Sequence, residues 1–241
     1  MSSRWQAYPS AAEAAEACAQ HVAELLEDAL AGQELASLAV SGGTSPKRMF
    51  EILANAALRW DRVHLFWVDE RCVPPTDVAS NFKMASEHLI QRARIPARNV
   101  HRVIGEMAPP GAAKRYAAEI KEFFGLAEGE FPSFDVVHRG MGPDAHTASL
   151  FPGDPLIEDR AGIAAATFAA QFKQWRVTLL PGPLAAAKNT VLLVTGEDKK
   201  EALRAVFKEE YDPLQYPAQI GVRGARGAMW FLDRAAAESM E

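Results

Sequence analysis

The chain has 241 residues, 49% hydrophobic and 24% charged, which gives apolar surface for a substantial core and excludes disorder as its main state. Its 26 Lys and Arg are outnumbered by 31 Asp and Glu, so a generic basic surface for nucleic acid is not expected. No stretch approaches the ~20 apolar residues that span a bilayer. Met1 to Tyr8 lack the apolar core of a secretion signal, and two cysteines, Cys18 and Cys72, cannot build a disulfide framework. The expectation is one cytoplasmic domain over residues 1–241, engaging neither membrane nor nucleic acid.

Ser10-Ala-Ala-Glu13 spells a capping box, in which each side chain can satisfy the other's free backbone N–H. Ala14, Cys18, Val22, Leu25 and Ala29 follow at helical spacing, with Gly32 placed to stop the helix. Leu35 to Val40 reads as a strand ending at Ser41-Gly42-Gly43-Thr44, and a helix opens at Pro46. Val63 to Val68 is a second strand, running into Asp69-Glu70-Arg71. Asn81 to Arg94 and Gly111 to Phe124 read as helices. Phe134 to Val137 is a third strand, followed by Gly140-Met-Gly-Pro-Asp144. Arg176 to Leu180 and Val191 to Val194 are strands, Glu197 to Phe207 a helix, and Ala228 to Leu232 a last strand. Strands alternating with helices predict a three-layer α/β fold, a mostly parallel Rossmann-like sheet with helices on both faces. Ligands of such sheets sit outside the carboxyl ends of the strands. Four polar groups then share one rim: Ser41 to Thr44, Asp69 to Arg71, Asp144 to His146, and Thr195 to Lys199.

The Ser41-Gly42-Gly43-Thr44-Ser45-Pro46 turn can cradle a phosphate. Its glycines let backbone N–H groups approach closely, and the helix behind offers its partly positive N-terminus. A plain strand–helix turn accounts for the same residues equally well. Arg71 can hold an anion through two parallel hydrogen bonds, with Asp69 beside it; a solvated loop start is the commoner fate of such a run. His146 is a candidate general base, because histidine's ordinary pKa of ~6.5 suits proton transfer near neutrality, and Asp144 can fix its tautomer or contact the ligand. Arg176 and Lys199 are further cations, which the acidic chain must supply locally if it binds phosphate. Walker and Gly-x-Gly-x-x-Gly loops, the Gly-x-Ser-x-Gly elbow, His-Glu-x-x-His and Cys-x-x-Cys are all missing from the sequence. No metal site is expected. His64, His88, His101 and His138 carry no motif, and Trp60, Trp67, Trp175 and Trp230 read as core.

Taken in order, Ser41-Gly-Gly-Thr-Ser-Pro46, Trp67-Val-Asp-Glu-Arg71, Ser80-Asn-Phe82, Gly140-Met-Gly-Pro-Asp-Ala-His-Thr-Ala-Ser-Leu-Phe-Pro152, and Arg176-Val-Thr-Leu with Thr195-Gly-Glu-Asp-Lys199 resemble the family of 6-phosphogluconolactonases and glucosamine-6-phosphate deaminases. The resemblance runs from about Val40 to Leu232. It implies hydrolysis of 6-phospho-D-glucono-1,5-lactone, a phosphorylated sugar lactone, in the oxidative pentose phosphate pathway, with neither metal nor cofactor. It assigns His146 as general base, with Asp144 orienting the histidine or the substrate. The phosphate falls to Ser41, Gly42, Gly43 and Thr44 with Arg71, Arg176 and Lys199 around it, and sugar hydroxyls to Asp69. Three places depart from the family pattern: Ala145 stands where Gly is usual, His138-Arg139 replaces an apolar pair, and Leu180-Pro-Gly-Pro183 differs from the usual segment. Two other readings are an amino-sugar-phosphate deaminase or isomerase, whose pattern favours Asp-Glu-Tyr and Asn-Asp-Gly-His-Ile, and a sugar-phosphate sensor without turnover, motivated by Ala145.

Overall fold

The structure, a computed structural model, describes residues 4–222 and 228–240. Seven strands form one parallel sheet: β1 (Arg4–Tyr8), β2 (Ala36–Val40), β3 (Val63–Trp67), β5 (Val100–His101), β6 (Val136–Arg139), β9 (Asn189–Val194) and β10 (Ala228–Asp233). Their order is β1-β10-β9-β6-β2-β3-β5, and every neighbouring pair is parallel. The chain moves from β2 to β3 and β5 on one side, then returns to β6 on the other. The strand order therefore reverses between β2 and β6, and the crevice that opens at such a reversal is where an open α/β sheet binds its ligand.

The central strands are apolar runs rather than alternating ones, because helices cover both of their faces. Strand β9 shows this directly. Val191 and Leu193 join the core beneath α1 (Ala11–Gly32), α2 (Pro46–Leu53) and α5 (Pro109–Phe124), while Leu192 and Val194 join a second cluster with Leu203 and Val206 of α7 (Lys200–Lys208). The expected three-layer α/β architecture is the one observed. Among the described residues no helix is long and apolar enough to cross a membrane.

The first helix begins as its sequence predicts, with Ser10 Oγ accepting the Glu13 N–H at 3.3 Å. The other half of the box differs: the Glu13 carboxylate accepts the Ser10 hydroxyl at 2.7 Å rather than the Ser10 backbone N–H. Gly32 is the last helical residue, and the chain leaves through Gln33 in an extended conformation, so no left-handed glycine ends the helix. The helix predicted from Asn81 is α3 (Asn81–Ala85), a π-helical turn (Ser86–Ile90) and α4 (Gln91–Ala93) in succession, closed by Arg94 at φ 55°.

A second, three-stranded antiparallel sheet was not foreseen. It orders β4 (Asp69–Arg71), β8 (Gln174–Leu179) and β7 (Ala164–Ala169). Asp69-Glu70-Arg71 is thus a strand and not the start of a solvated loop, and the Arg176 strand lies outside the parallel sheet. The two sheets meet at Val68, whose N–H donates to Val40 and whose carbonyl accepts from Leu179. Strands β1, β5 and β7 lack a sequence signal: β5 has two residues, β1 is an exposed edge, and the Ala-Ala-Ala-Thr-Phe-Ala of β7 has no clear alternation. Trp175, expected in the core, is exposed on this small sheet beside Phe168, whereas Trp60, Trp67 and Trp230 are buried.

Candidate active site

Period-two geometry sorts the charges of β4. Asp69 and Arg71 project to one face and Glu70 to the other. Glu70 is buried and accepts the backbone N–H groups of Arg71, Asn81 and Phe82, each at 2.7 Å, and the Ser80 hydroxyl at 3.1 Å. Burial raises its pKa, and those three backbone hydrogen bonds oppose the rise. Glu70 therefore ties the loop between Arg71 and α3 to the strand. On the opposite face Arg71 pairs in register with Arg176. Two like charges directly opposite each other are destabilising unless something anionic lies between or beside them. Asp69 supplies part of that: its carboxylate is 3.8 Å from Arg176 Nη1 and accepts Ser149 Oγ at 2.8 Å. Arg176 is nearly buried, with Phe172 4.7 Å beneath its guanidinium, and burial holds its pKa below the usual value.

Strand β2 delivers the second wall. Ser41 N–H donates to His138 O at 3.1 Å, extending the β2–β6 ladder one residue into the turn. Gly42 is required for space, since a Cβ there would lie 1.8 Å from Asn81 Oδ1. Asn81 in turn donates to the Asp69 carbonyl at 2.8 Å, so the glycine turn and β4 lock together. Gly43 has φ +114°, a conformation that disfavours a side chain. The turn runs into α2, whose first residue is Pro46 and whose N-cap Ser45 makes no capping hydrogen bond to it; the leading N–H groups of the helix are left without side-chain caps. Ser45 Oγ is instead 3.0 Å from Thr195 Oγ1, across the rim on the loop after β9.

The loop after β6 carries the third wall. His146 Nδ1 lies 2.5 Å from Asp144 Oδ1, and the His146 backbone N–H donates to the same oxygen at 3.1 Å. Burial works against ionising Asp144, but the hydrogen bond and charge of His146 outweigh it and hold the carboxyl below its ordinary pKa. The ring packs 4.7 Å from Phe151. Ala145, between them, has φ 64°, and Ala148 has φ 53°. A left-handed alanine costs roughly 1 kcal/mol against glycine, part of which glycine returns through its freer unfolded chain. Ala145→Gly is expected to stabilise the protein by about 0.5–1 kcal/mol, read as a higher urea midpoint; an unchanged or lower midpoint would show the strain is absent.

These walls enclose a cavity of about 240 Å³, lined by Ser41, Gly42, Gly43, Thr44, Asp69, Arg71, His146, Arg176 and Lys199. Asp144 stands behind His146. All ten residues singled out from the sequence are therefore brought to one rim. Lys199 arrives on the turn after Gly196 and is paired with Asp198. Four residues of the site were not singled out. Asn81 and Thr195 bridge the walls, Ser149 joins Asp69 to Arg176, and His138 lies buried on the cavity lining. Asn81, Ser149 and Thr195 fall inside the sequence blocks; His138 stands out only as part of a departure from the family pattern, because a histidine in a strand looks the same whether it faces a core or a cavity. Elsewhere, His64 and His101 are 2.8 Å apart, and His88 meets Glu51.

Residues 9–230 match the family model of glucosamine-6-phosphate isomerases/6-phosphogluconolactonase. The chain belongs to this family. A 6-phosphogluconolactonase of Nostoc sp. is 38% identical over 212 residues, covering 88% of this chain and 87% of that one. A 6-phosphogluconolactonase of Haemophilus influenzae is 34% identical over 204 residues, covering 83% and 85%. The solved structure of the Trypanosoma brucei 6-phosphogluconolactonase superposes with a TM-score of 0.86 over 99% of both chains, at 27% identity. A monomeric glucosamine-6-phosphate deaminase shares the fold, with a TM-score of 0.81 at 15% identity.

Proposed function

We propose that this family member hydrolyses 6-phospho-D-glucono-1,5-lactone to 6-phosphogluconate, the lactonase step of the oxidative pentose phosphate pathway, with the whole chain acting as one sugar-phosphate domain in the cytoplasm. The observation that carries the chemistry is the His146–Asp144 pair on the same cavity as Arg71, Arg176 and the Ser41 turn. Its relatives named as 6-phosphogluconolactonases support the substrate. Asp144 is held ionised and can only accept, so the shared hydrogen belongs on His146 Nδ1 and the lone pair on Nε2. Nε2 takes a proton from water as the water oxygen attacks the lactone carbonyl. The tetrahedral intermediate then expels the ring oxygen, which receives the proton back, and the new carboxylic acid ionises. A lactone is already activated, so a positioned base worth ~10²–10⁴ in rate and a bound, oriented phosphate suffice.

The phosphate is assigned to Ser41, Gly42, Gly43 and Thr44 at the start of α2, with Arg71, Arg176 and Lys199 supplying charge and Asp69 facing the sugar hydroxyls. Arg71→Ala and Lys199→Ala are each expected to raise KM about 10-fold or more with a smaller change in kcat, the size of one lost charged hydrogen bond; steady-state kinetics on the phosphorylated lactone checks this. The function itself is tested by release of 6-phosphogluconate from fresh lactone, coupled to its dehydrogenase. A rate no faster than spontaneous hydrolysis sinks it. Ammonia release from glucosamine 6-phosphate would instead favour the deaminase branch, and tight product binding without turnover a sensor.

A further inference from the structure

His138 is buried in the middle of β6, yet neither ring nitrogen has a hydrogen-bond partner among the described residues. Buried polar groups are as a rule hydrogen-bonded, so a buried imidazole with two unmade hydrogen bonds calls for a reason. Packing does not supply one. The ring lies edge-on to Phe50 of α2, centroids 6.1 Å apart, where an apolar side chain would serve as well. Its neighbour Arg139 donates from Nη2 to Ile220 O, and its Nε and Nη1 have no partner among the described residues, so no shared network with the next residue explains it. The position does supply one. His138 lines the same cavity as the glycine turn, and its carbonyl is bonded to the N–H of Ser41. Ser41 Oγ is likewise buried without a partner among the described residues, on the same lining. Two polar groups of adjacent strands are thus left unsatisfied at one spot, at the β2–β6 reversal where α2 begins.

We propose that His138 is a further substrate-binding residue, whose ring N–H donates to the phosphoryl group seated in the Ser41 turn. This rests on reading that turn as the phosphate seat. Burial pushes the His138 pKa down to about 4, so at pH 7 the ring offers one donor and one acceptor. A phosphoryl oxygen, an acceptor, takes the donor. The remaining lone pair is free for a hydroxyl, from Ser41 or from the sugar. Ligand binding would then satisfy groups that the free protein leaves unpaired.

The test compares His138→Leu with His138→Asn, which keeps an N–H donor. His138→Leu should weaken inorganic phosphate binding and raise KM for the phosphorylated lactone roughly tenfold, the effect of one hydrogen bond, with a smaller change in kcat. His138→Asn should recover most of the loss. The ligand-free Leu variant should melt higher than the parent, a gain that a purely structural histidine would not couple to weaker phosphate binding. In the unaltered protein, phosphate should move the ring nitrogen resonances of His138, a measurement that stands whether or not a variant folds. Unchanged phosphate affinity and KM in His138→Leu, or resonances that stay fixed at saturating phosphate, would overturn the proposal. Should the parent itself neither bind phosphate nor prefer the phosphorylated lactone, the phosphate-seat reading fails as well; a preference kept in full by His138→Leu removes His138 alone.

Discussion

His146→Ala should lower kcat by ~10² or more, with KM changed only severalfold. Among the described residues the ring's side-chain hydrogen-bond partner is Asp144, and His146 shares the cavity lining with Arg71, Arg176 and Lys199. Deleting it removes the imidazole on that lining that, among the described residues, has a carboxylate to hold its tautomer, and leaves Ser41 to Thr44, Arg71 and Arg176 to bind the anion as before. The split between kcat and KM is therefore the diagnostic. If the base acts only in the transition state, ground-state binding survives its loss. The coupled assay with purified variant and fresh lactone decides the matter, and turnover equal to the parent's would overturn the general-base assignment.

Gly142→Ala should come close to this loss without replacing a reacting group. A Cβ at Gly142 would lie 2.0 Å from His146 Nδ1, 2.1 Å from His146 Cε1 and 2.7 Å from Asp144 Oδ1. Gly142 does not have a positive φ, so the backbone tolerates alanine and the clash falls on the imidazole and its carboxylate. The ring must swing away, and a displacement of about 1 Å at a reacting group costs roughly 10² in rate. The expected outcome is a kcat near that of His146→Ala and a melting temperature close to the parent's. Parental kcat in Gly142→Ala would mean that the ring has room to work elsewhere. The alanine at 145 is the contrasting case. There the strain is in the backbone and not in space, and relieving it should alter stability more than chemistry.

Much of this site could be read from the chain because each piece ends a strand. Apolar runs stop at Ser41, Asp69, Gly140 and Thr195, and in a parallel sheet strand ends with the same sense share a rim. Glycine pairs and an Asp two residues before a His are local patterns, visible without coordinates. The fate of Asp69-Glu70-Arg71 was not visible in this way. Three charges after a strand look like a solvated loop, and only pairing with β8 makes them a strand with Glu70 on one face and Asp69 and Arg71 on the other. Trp175 was misplaced for the same reason: its strand belongs to the small sheet, where its side chain is exposed.

Sequence alone settled the class of fold, the family and the residues that reach the rim, because periodicity, strand-end chemistry and motif order are properties of neighbours along the chain. Coordinates were needed for what depends on distant partners. They decided that Arg71 faces Arg176, that Glu70 staples a loop while Asp69 joins the cavity, and that Gly142 is small for the sake of His146. They also set His138 beside the Ser41 turn, its ring nitrogens without partners among the described residues. Such facts turn on which side chains from remote segments share a few ångströms, and a linear pattern of residue types does not encode that distance.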